Sequence, residues 1–177
     1  MASKEYLFSG FGGQGILFSG KFIANKGLME DKNVSWLPSY GPEMRGGTAS
    51  CSVIVSDGAV GSPIVSNPDV LIAMNLPSLD RYEKSVKAGG IIVLDSSLIE
   101  RKIERDDVTA YYVPATQMAS DNGIPTLANM IIAGKVLAVT GEFNEESIVA
   151  TLKKIISAKR ADMFDMNLKA LKLGAEF

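Results

Sequence analysis

The 177-residue chain is long enough for one domain of ordinary size, and its 46% hydrophobic content lets it bury a core without covalent staples. A net charge of -2 gives no electrostatic reason to expect nucleic acid or an anionic membrane as a partner. Histidine is absent and cysteine occurs once, as Cys51, which removes histidine general bases and metal sites, an intramolecular disulfide, and an iron–sulfur cluster held by roughly four ligands.

Glu5 to Ser9 reads as a short first strand. A turn, Gly10-Phe11-Gly12-Gly13-Gln14-Gly15, follows. Ile16, Ser19, Phe22, Ile23 and Lys26 then fall at helical spacing, with Gly27 near the expected end. Val34 to Leu37 is a second strand, so the opening carries a βαβ signature. Two prolines and three glycines keep residues 38–47 irregular. Thr48 to Val55 reads as a strand, and Asp57-Gly58 as a hairpin turn from which Ala59 to Val65 returns antiparallel.

Asp69 to Met74 is a continuous apolar run, expected as a strand buried on both faces. Pro77 to Val86 is a surface helix closed by Gly89-Gly90. Ile91 to Leu94 and Ala110 to Val113 are further strands, and Pro114 to Asn122 is a helix. Pro125 to Val139 is apolar almost all round and demands cover on more than one side. With Ile124 it is the longest apolar stretch, too short to span a bilayer. Asn144 is placed to cap a helix with Glu145 and Glu146 in its first turn and Lys153 and Lys154 at its far end. Asp162 to Leu173 is the last helix. The alternation of elements predicts one α/β domain over 1–177, a three-layer α/β/α sandwich with a mixed, mostly parallel sheet and C-terminal helices from about 144. Low cysteine use and no leader-like N-terminal segment point to the cytoplasm.

Two loops hold the candidate functional residues. Gly10, Gly12 and Gly15 match G-x-G-x-x-G between a strand and a helix, where backbone N–H groups can meet an anion. The dinucleotide reading lacks its ribose-binding acid, because the second strand ends in Leu37-Pro38-Ser39. A tight turn that only needs glycine, a phosphate or carboxylate site, and a docking point for a partner's backbone remain as readings. In the second loop Arg45 can grip a carboxylate or phosphate, and Glu43 can pair with Arg45 or with a neighbouring chain. A solvated ion pair without a role is the alternative. Cys51, in an alternating strand without a cationic neighbour, reads as a small buried hydrophobe.

Together the glycine turn and Pro38-Ser39-Tyr40-Gly41-Pro42-Glu43-Met44-Arg45-Gly46-Gly47-Thr48-Ala49 resemble the γ subunit of 2-oxoacid:ferredoxin oxidoreductases over nearly the whole chain. The Pro-Glu-Met-Arg-Gly-Gly form is similar to the 2-oxoglutarate or general 2-oxoacid type. The resemblance implies a reaction in which a 2-oxoacid, coenzyme A and oxidised ferredoxin give acyl-CoA, carbon dioxide and reduced ferredoxin. It also implies thiamine diphosphate with magnesium and iron–sulfur clusters on partner subunits, and no cofactor in this chain. The partners implied are α and β (thiamine-binding) subunits and a ferredoxin-like subunit or ferredoxin. Gly10, Gly12, Gly13, Gln14 and Gly15, with Glu43, Arg45 and Gly46, are the residues expected to contact CoA or another anion, none of them catalytic.

Two other classes stay open, a stand-alone nucleotide-binding enzyme and a scaffold subunit of another complex. An obligate subunit is expected to expose apolar surface in isolation and to self-associate, with Pro125 to Val139, Met163 and Met166 as the surface concerned, unless both segments pack within the domain.

Overall fold

A computed structural model describes residues 2–39 and 48–177. In chain order these form β1 (Ser3–Phe11), α1 (Ile16–Met29), β2 (Asn33–Ser39), β3 (Thr48–Ser56), β4 (Val70–Ala73) and α2 (Leu76–Tyr82). A 3-10 turn at Glu83–Ser85 precedes β5 (Ile91–Asp95), β6 (Thr109–Val113), α3 (Ala115–Asp121) and α4 (Ala128–Val139). The chain closes with α5 (Glu145–Ile155), a 3-10 turn at Ala158–Arg160 and α6 (Ala161–Glu176). None of the described helices is long and apolar enough to cross a membrane.

The sheet has six strands in the order β2-β3-β1-β4-β5-β6. From β1 outward through β4, β5 and β6 every pairing is parallel, while β3 runs antiparallel to both β1 and β2. The mixed, mostly parallel sheet expected from the alternating elements is thus present. The βαβ opening is altered, however. β1 and β2 run in the same direction, but β3 lies between them, with Ser3 opposite Ser56 and Phe11 opposite Thr48.

No strand returns at 59–65. Both edges of β3 are already taken by β1 and β2, and Gly61, Pro63 and Pro68 interrupt any ladder. Asp57 instead ends β3 by joining three pieces of chain. Its backbone N–H donates to the Ala2 carbonyl at 2.9 Å, and its carboxylate accepts from the Ala2 N–H and pairs with Lys32.

Helices cover the two faces unequally. Tyr6, Phe8, Cys51, Val53 and Ile72 point into a large core filled by Phe22, Ile23, Met130, Ile131, Leu152 and Leu171, so α1 and α3 to α6 all build on this side. The opposite face carries Leu7, Leu71, Ile92 and Leu94 under Leu79, Val86 and Ile99. β4 is buried on both faces, as a continuous apolar strand should be. Asn144 caps α5 by accepting from the Ser147 N–H at 2.9 Å, and Asn75 caps α2 in the same way through Ser78.

α4 satisfies its all-round apolar character inside the domain. It lies between the sheet and α6, and Met130, Ile131, Ile132, Ala133 and Val136 are fully buried. Of the two readings of this segment, exposed interface or packing within the domain, the second is the one observed for α4. Gly134 and Gly174 let the two helices approach so closely that a Cβ on either would overlap a backbone carbonyl oxygen of the other helix, at Leu171 and Ile131 respectively. Met163 and Met166 are half-buried.

Candidate functional site: the glycine turn between β1 and α1

β1 ends at the centre of the sheet, and the glycine turn sits at the carboxyl end of the parallel strands. Three features make these residues turn here. Gly10 has no room for a side chain, since a Cβ would lie 2.8 Å from Ile16 Cδ1 and 2.9 Å from Met74 Cβ. Gly13 (φ 93) and Gly15 (φ 75) occupy the left-handed region, which L side chains enter at a cost. Gln14 then fastens the turn. Its Oε1 accepts from the Phe11 N–H at 2.6 Å, and its Nε2 donates to the Met74 carbonyl at 3.0 Å, tying β1 to the end of β4.

Gly15 is the residue before α1, and the first helical bond runs from the Ser19 N–H to the Gly15 carbonyl at 3.0 Å. The N–H groups of Ile16, Leu17 and Phe18 precede that bond and have no acceptor within the helix. They border a cleft of about 310 Å³ lined by Phe11, Gly12, Gly13, Leu17, Phe18 and Ala49. The arrangement offers oriented backbone donors and a partial positive charge inside an apolar rim, which suits a phosphate or carboxylate attached to an apolar body.

The strand connections also diverge here. β1 and β4 are adjacent and parallel, but β1 leads into α1 on the thick face and β4 into α2 on the thin one. Such a divergence opens a crevice at the strand ends.

Of the residues expected at the site, Gly10, Gly12, Gly13, Gln14 and Gly15 are brought together in this turn. Glu43, Arg45 and Gly46 lie outside the described residues. Their described flanks, Ser39 and Thr48, stand at the same end of the sheet, with Thr48 paired to Phe11.

Asn129 was not among the expected site residues. From the first turn of α4 its Nδ2 donates to the Gly15 carbonyl at 3.0 Å, while its Oδ1 is buried without a partner among the described residues. A polar side chain in an otherwise apolar helix was the available signal. Asp95 is the second. It is fully buried at the end of β5 and accepts from the N–H groups of Ser97 and Thr116, so it fixes the start of α3.

Cys51 is fully buried, its Sγ 3.7 Å from the Ile16 carbonyl, and burial pushes its thiol up to about 12. A thiol held protonated in the core fits neither a metal ligand nor a nucleophile. The dinucleotide reading loses ground on geometry, because the strand beside β1 on the α1 side is the antiparallel β3 and not β2, whose end should carry the ribose-binding acid.

The family described as pyruvate ferredoxin/flavodoxin oxidoreductase matches residues 5–177. Ketoisovalerate oxidoreductase subunit VorA of Methanothermobacter thermautotrophicus is 43% identical over 96% of this chain and 35% of its own. The chain thus spans about a third of the length of that relative. 2-Oxoglutarate synthase subunit KorC of Methanocaldococcus jannaschii is 34% identical over 98% of this chain and 92% of its own. Among solved structures, the keto/oxoacid ferredoxin oxidoreductase γ subunit of Geobacter sulfurreducens PCA superposes with a TM-score of 0.82 at 28% identity, covering 98% of this chain and 96% of that one. The 2-oxoglutarate:ferredoxin oxidoreductase of Magnetococcus marinus, solved with 2-oxoglutarate, coenzyme A and succinyl-CoA, shares the fold at a TM-score of 0.86 and 24% identity, over 99% of this chain and 31% of that one. The chain belongs to the pyruvate ferredoxin/flavodoxin oxidoreductase family.

Proposed function

We propose that this chain is the γ subunit of a cytoplasmic, CoA-dependent 2-oxoacid:ferredoxin oxidoreductase, and that the acid is 2-oxoglutarate. The observation that carries the reading is the end-to-end likeness to KorC, which covers 98% of this chain and 92% of the relative. A branched-chain 2-oxoacid is the second reading, favoured by the higher identity to VorA, 43%. The reaction joins the acyl group of the acid to CoA, releases carbon dioxide and passes the electrons to ferredoxin.

This chain's residues do not fit the thiamine or cluster chemistry. Its sole cysteine is buried, and the Asp57 carboxylate is engaged by Lys32 and Ala2. α and β subunits that bind thiamine diphosphate and magnesium, and a ferredoxin-like subunit or ferredoxin with iron–sulfur clusters, would supply those groups. The isolated chain is inactive on this reading.

Its own contribution is to receive CoA or its acyl thioester at the glycine turn. The N–H groups of Ile16, Leu17 and Phe18 would face a phosphate, and Phe11 and Phe18 would flank the apolar part. Arg45, in the segment that joins β2 to β3 in sequence, would add a cation.

Anaerobic affinity purification from the native host, followed by CoA-dependent viologen reduction with several 2-oxoacids, tests the proposal. Co-purifying thiamine- and cluster-bearing subunits and fastest turnover of 2-oxoglutarate are expected. A branched-chain acid as best substrate would move the assignment to the second reading, and a chain without such partners would overturn both. In the assembled enzyme, Arg45→Ala should raise the CoA concentration needed for half-maximal rate about tenfold, the cost of one charge-assisted contact. An unchanged CoA requirement in an intact complex removes Arg45 from that role.

A further inference from the structure

Elsewhere on the surface some cations of this chain are matched by acids, while others, Lys21, Arg81, Lys84 and Lys102 among them, have no ion pair among the described residues. Lys4 pairs with Glu142, Lys32 with Asp57, Lys87 with Glu5 and Asp69, Arg101 with Asp80 and Glu83, Arg105 with Asp107, and Lys172 with Glu145. The corner where α5 hands over to α6 gathers four unpaired cations into one short segment. Residues 153–160 read Lys-Lys-Ile-Ile-Ser-Ala-Lys-Arg, with no acid among them. Lys153, Lys154, Lys159 and Arg160 are all exposed. None of them has an ion pair or side-chain hydrogen bond among the described residues. Lys153 and Lys154 suit the carboxyl end of α5, but Lys159 and Arg160 lie beyond it and gain nothing from its dipole.

The same corner is grooved. One cleft of about 340 Å³ lies between Lys153, Ile156, Ala161 and Phe164, with Asp165 at its edge. A second, of about 250 Å³, lies between Phe18, Ile155, Arg160 and Met163. Ile156 and Ser157 line both, so the clefts flank a single crossing of the chain. Each is mainly apolar, with Lys153 lining the first, Arg160 the second, and Lys154 and Lys159 next in sequence to these two.

We infer that this corner is a docking surface for an acidic, amphipathic segment of a partner subunit, one that sets apolar side chains into the two clefts and carboxylates against Lys153, Lys154, Lys159 and Arg160. Charge complementarity selects that occupant. A second copy of this chain docking symmetrically would set the four cations against their own equivalents, which is repulsive. Two clefts separated by the chain also suit side chains spaced along a polypeptide. The inference rests on the proposed role as a subunit of a complex, and adds where and by what chemistry the chain is held.

The test uses the purified, assembled complex and a carbodiimide, which joins lysine amines to carboxylates only where they touch. Peptide mapping should find Lys153, Lys154 or Lys159 joined to Asp or Glu of a partner subunit. The yield should fall several-fold at about 0.5 M NaCl, where screening leaves only close contacts. In the variant K153E/K154E/K159E/R160E, all four changes being on exposed side chains, those links should vanish. The chain should then separate from the complex on size-exclusion chromatography while keeping the wild-type circular dichroism. An intact complex in which these lysines link only within the chain or to another copy of it overturns the inference and leaves the subunit reading standing, as does a variant that assembles like wild type. Failure of the wild-type chain to co-purify with any partner overturns the subunit reading, and this inference with it.

Discussion

At the end of β1, Gly13 and Gly15 hold positive φ angles, and a Cβ added at Gly13 would meet nothing within 4 Å. Where α4 crosses α6, Gly134 and Gly174 keep ordinary helical backbone, and a Cβ would overlap a carbonyl oxygen of the opposite helix. The first pair bends the chain, with open space beside Gly13 and Asn129 close against Gly15. The second removes space altogether. Glycine is thus required for backbone conformation at the turn and for contact alone at the helix crossing, and only the turn borders a cleft.

Filling the helix crossing should cost most. Gly174→Val drives a side chain against the backbone of Ile131 and Lys135, neither of which can give way without separating α4 from α6. A loss of about 3 kcal/mol or more, or failure to fold, is expected, read as the urea midpoint at constant m. A loss below about 1 kcal/mol would mean that the helices are not in contact there.

Gly20 offers a contact that can be relieved. A Cβ at Gly20 would overlap Cys51 Sγ, so Gly20→Ala should cost about 1–3 kcal/mol and recover at least half of that when combined with Cys51→Ala. Additive losses in the double-mutant cycle would remove the sulfur as the obstacle.

The turn should be milder and should separate backbone from contact. Gly13→Ala should cost about 1 kcal/mol from its backbone angle alone. Gly15→Ala adds a clash, with Asn129 Nδ2 2.5 Å from the new Cβ, and should cost roughly 1 kcal/mol more. Equal losses at the two positions would show that Asn129 moves aside freely.

A further effect is one of pH. The buried Cys51 thiol, pushed up from 9.0 to about 12, keeps its proton in the fold where the unfolded chain loses it. Burial, with the Glu142 charge beside it, moves the Tyr6 hydroxyl in the same direction. The unfolded state then binds fewer protons, so stability should fall as pH rises from about 9 toward 12. Urea midpoints at about pH 8 and pH 10.5 measure this, and Cys51→Ala should flatten part of the slope. A midpoint that rises with pH would contradict the burial of both groups.

How much of this was legible depended on the range over which each feature is determined. The apolar run at Asp69–Met74 lies within one residue of β4, and Asn144 is the cap it was read to be, because burial on both faces and a cap are local properties. The insertion of β3 between β1 and β2 was not legible. Period-two patterning marks a strand but does not name its neighbours, and the same ambiguity produced the unformed strand at 59–65. At the site, the glycines announced the turn. The partners that fix it lie 60 and 114 positions away, the Met74 carbonyl that accepts from Gln14 and the Asn129 amide that donates to Gly15, and no local pattern links them.

The close fit of α6 over α4 also bears on how the protein is made. α4 is translated by residue 139, yet the helix that covers it runs from Ala161 to Glu176. At about 5–20 residues per second, a ribosome leaves this apolar helix without its cover for a few seconds. During that interval the nascent chain presents one of its most apolar segments to whatever binds such surfaces, so slowing translation between residues 140 and 176 should increase chaperone engagement and loss to aggregation.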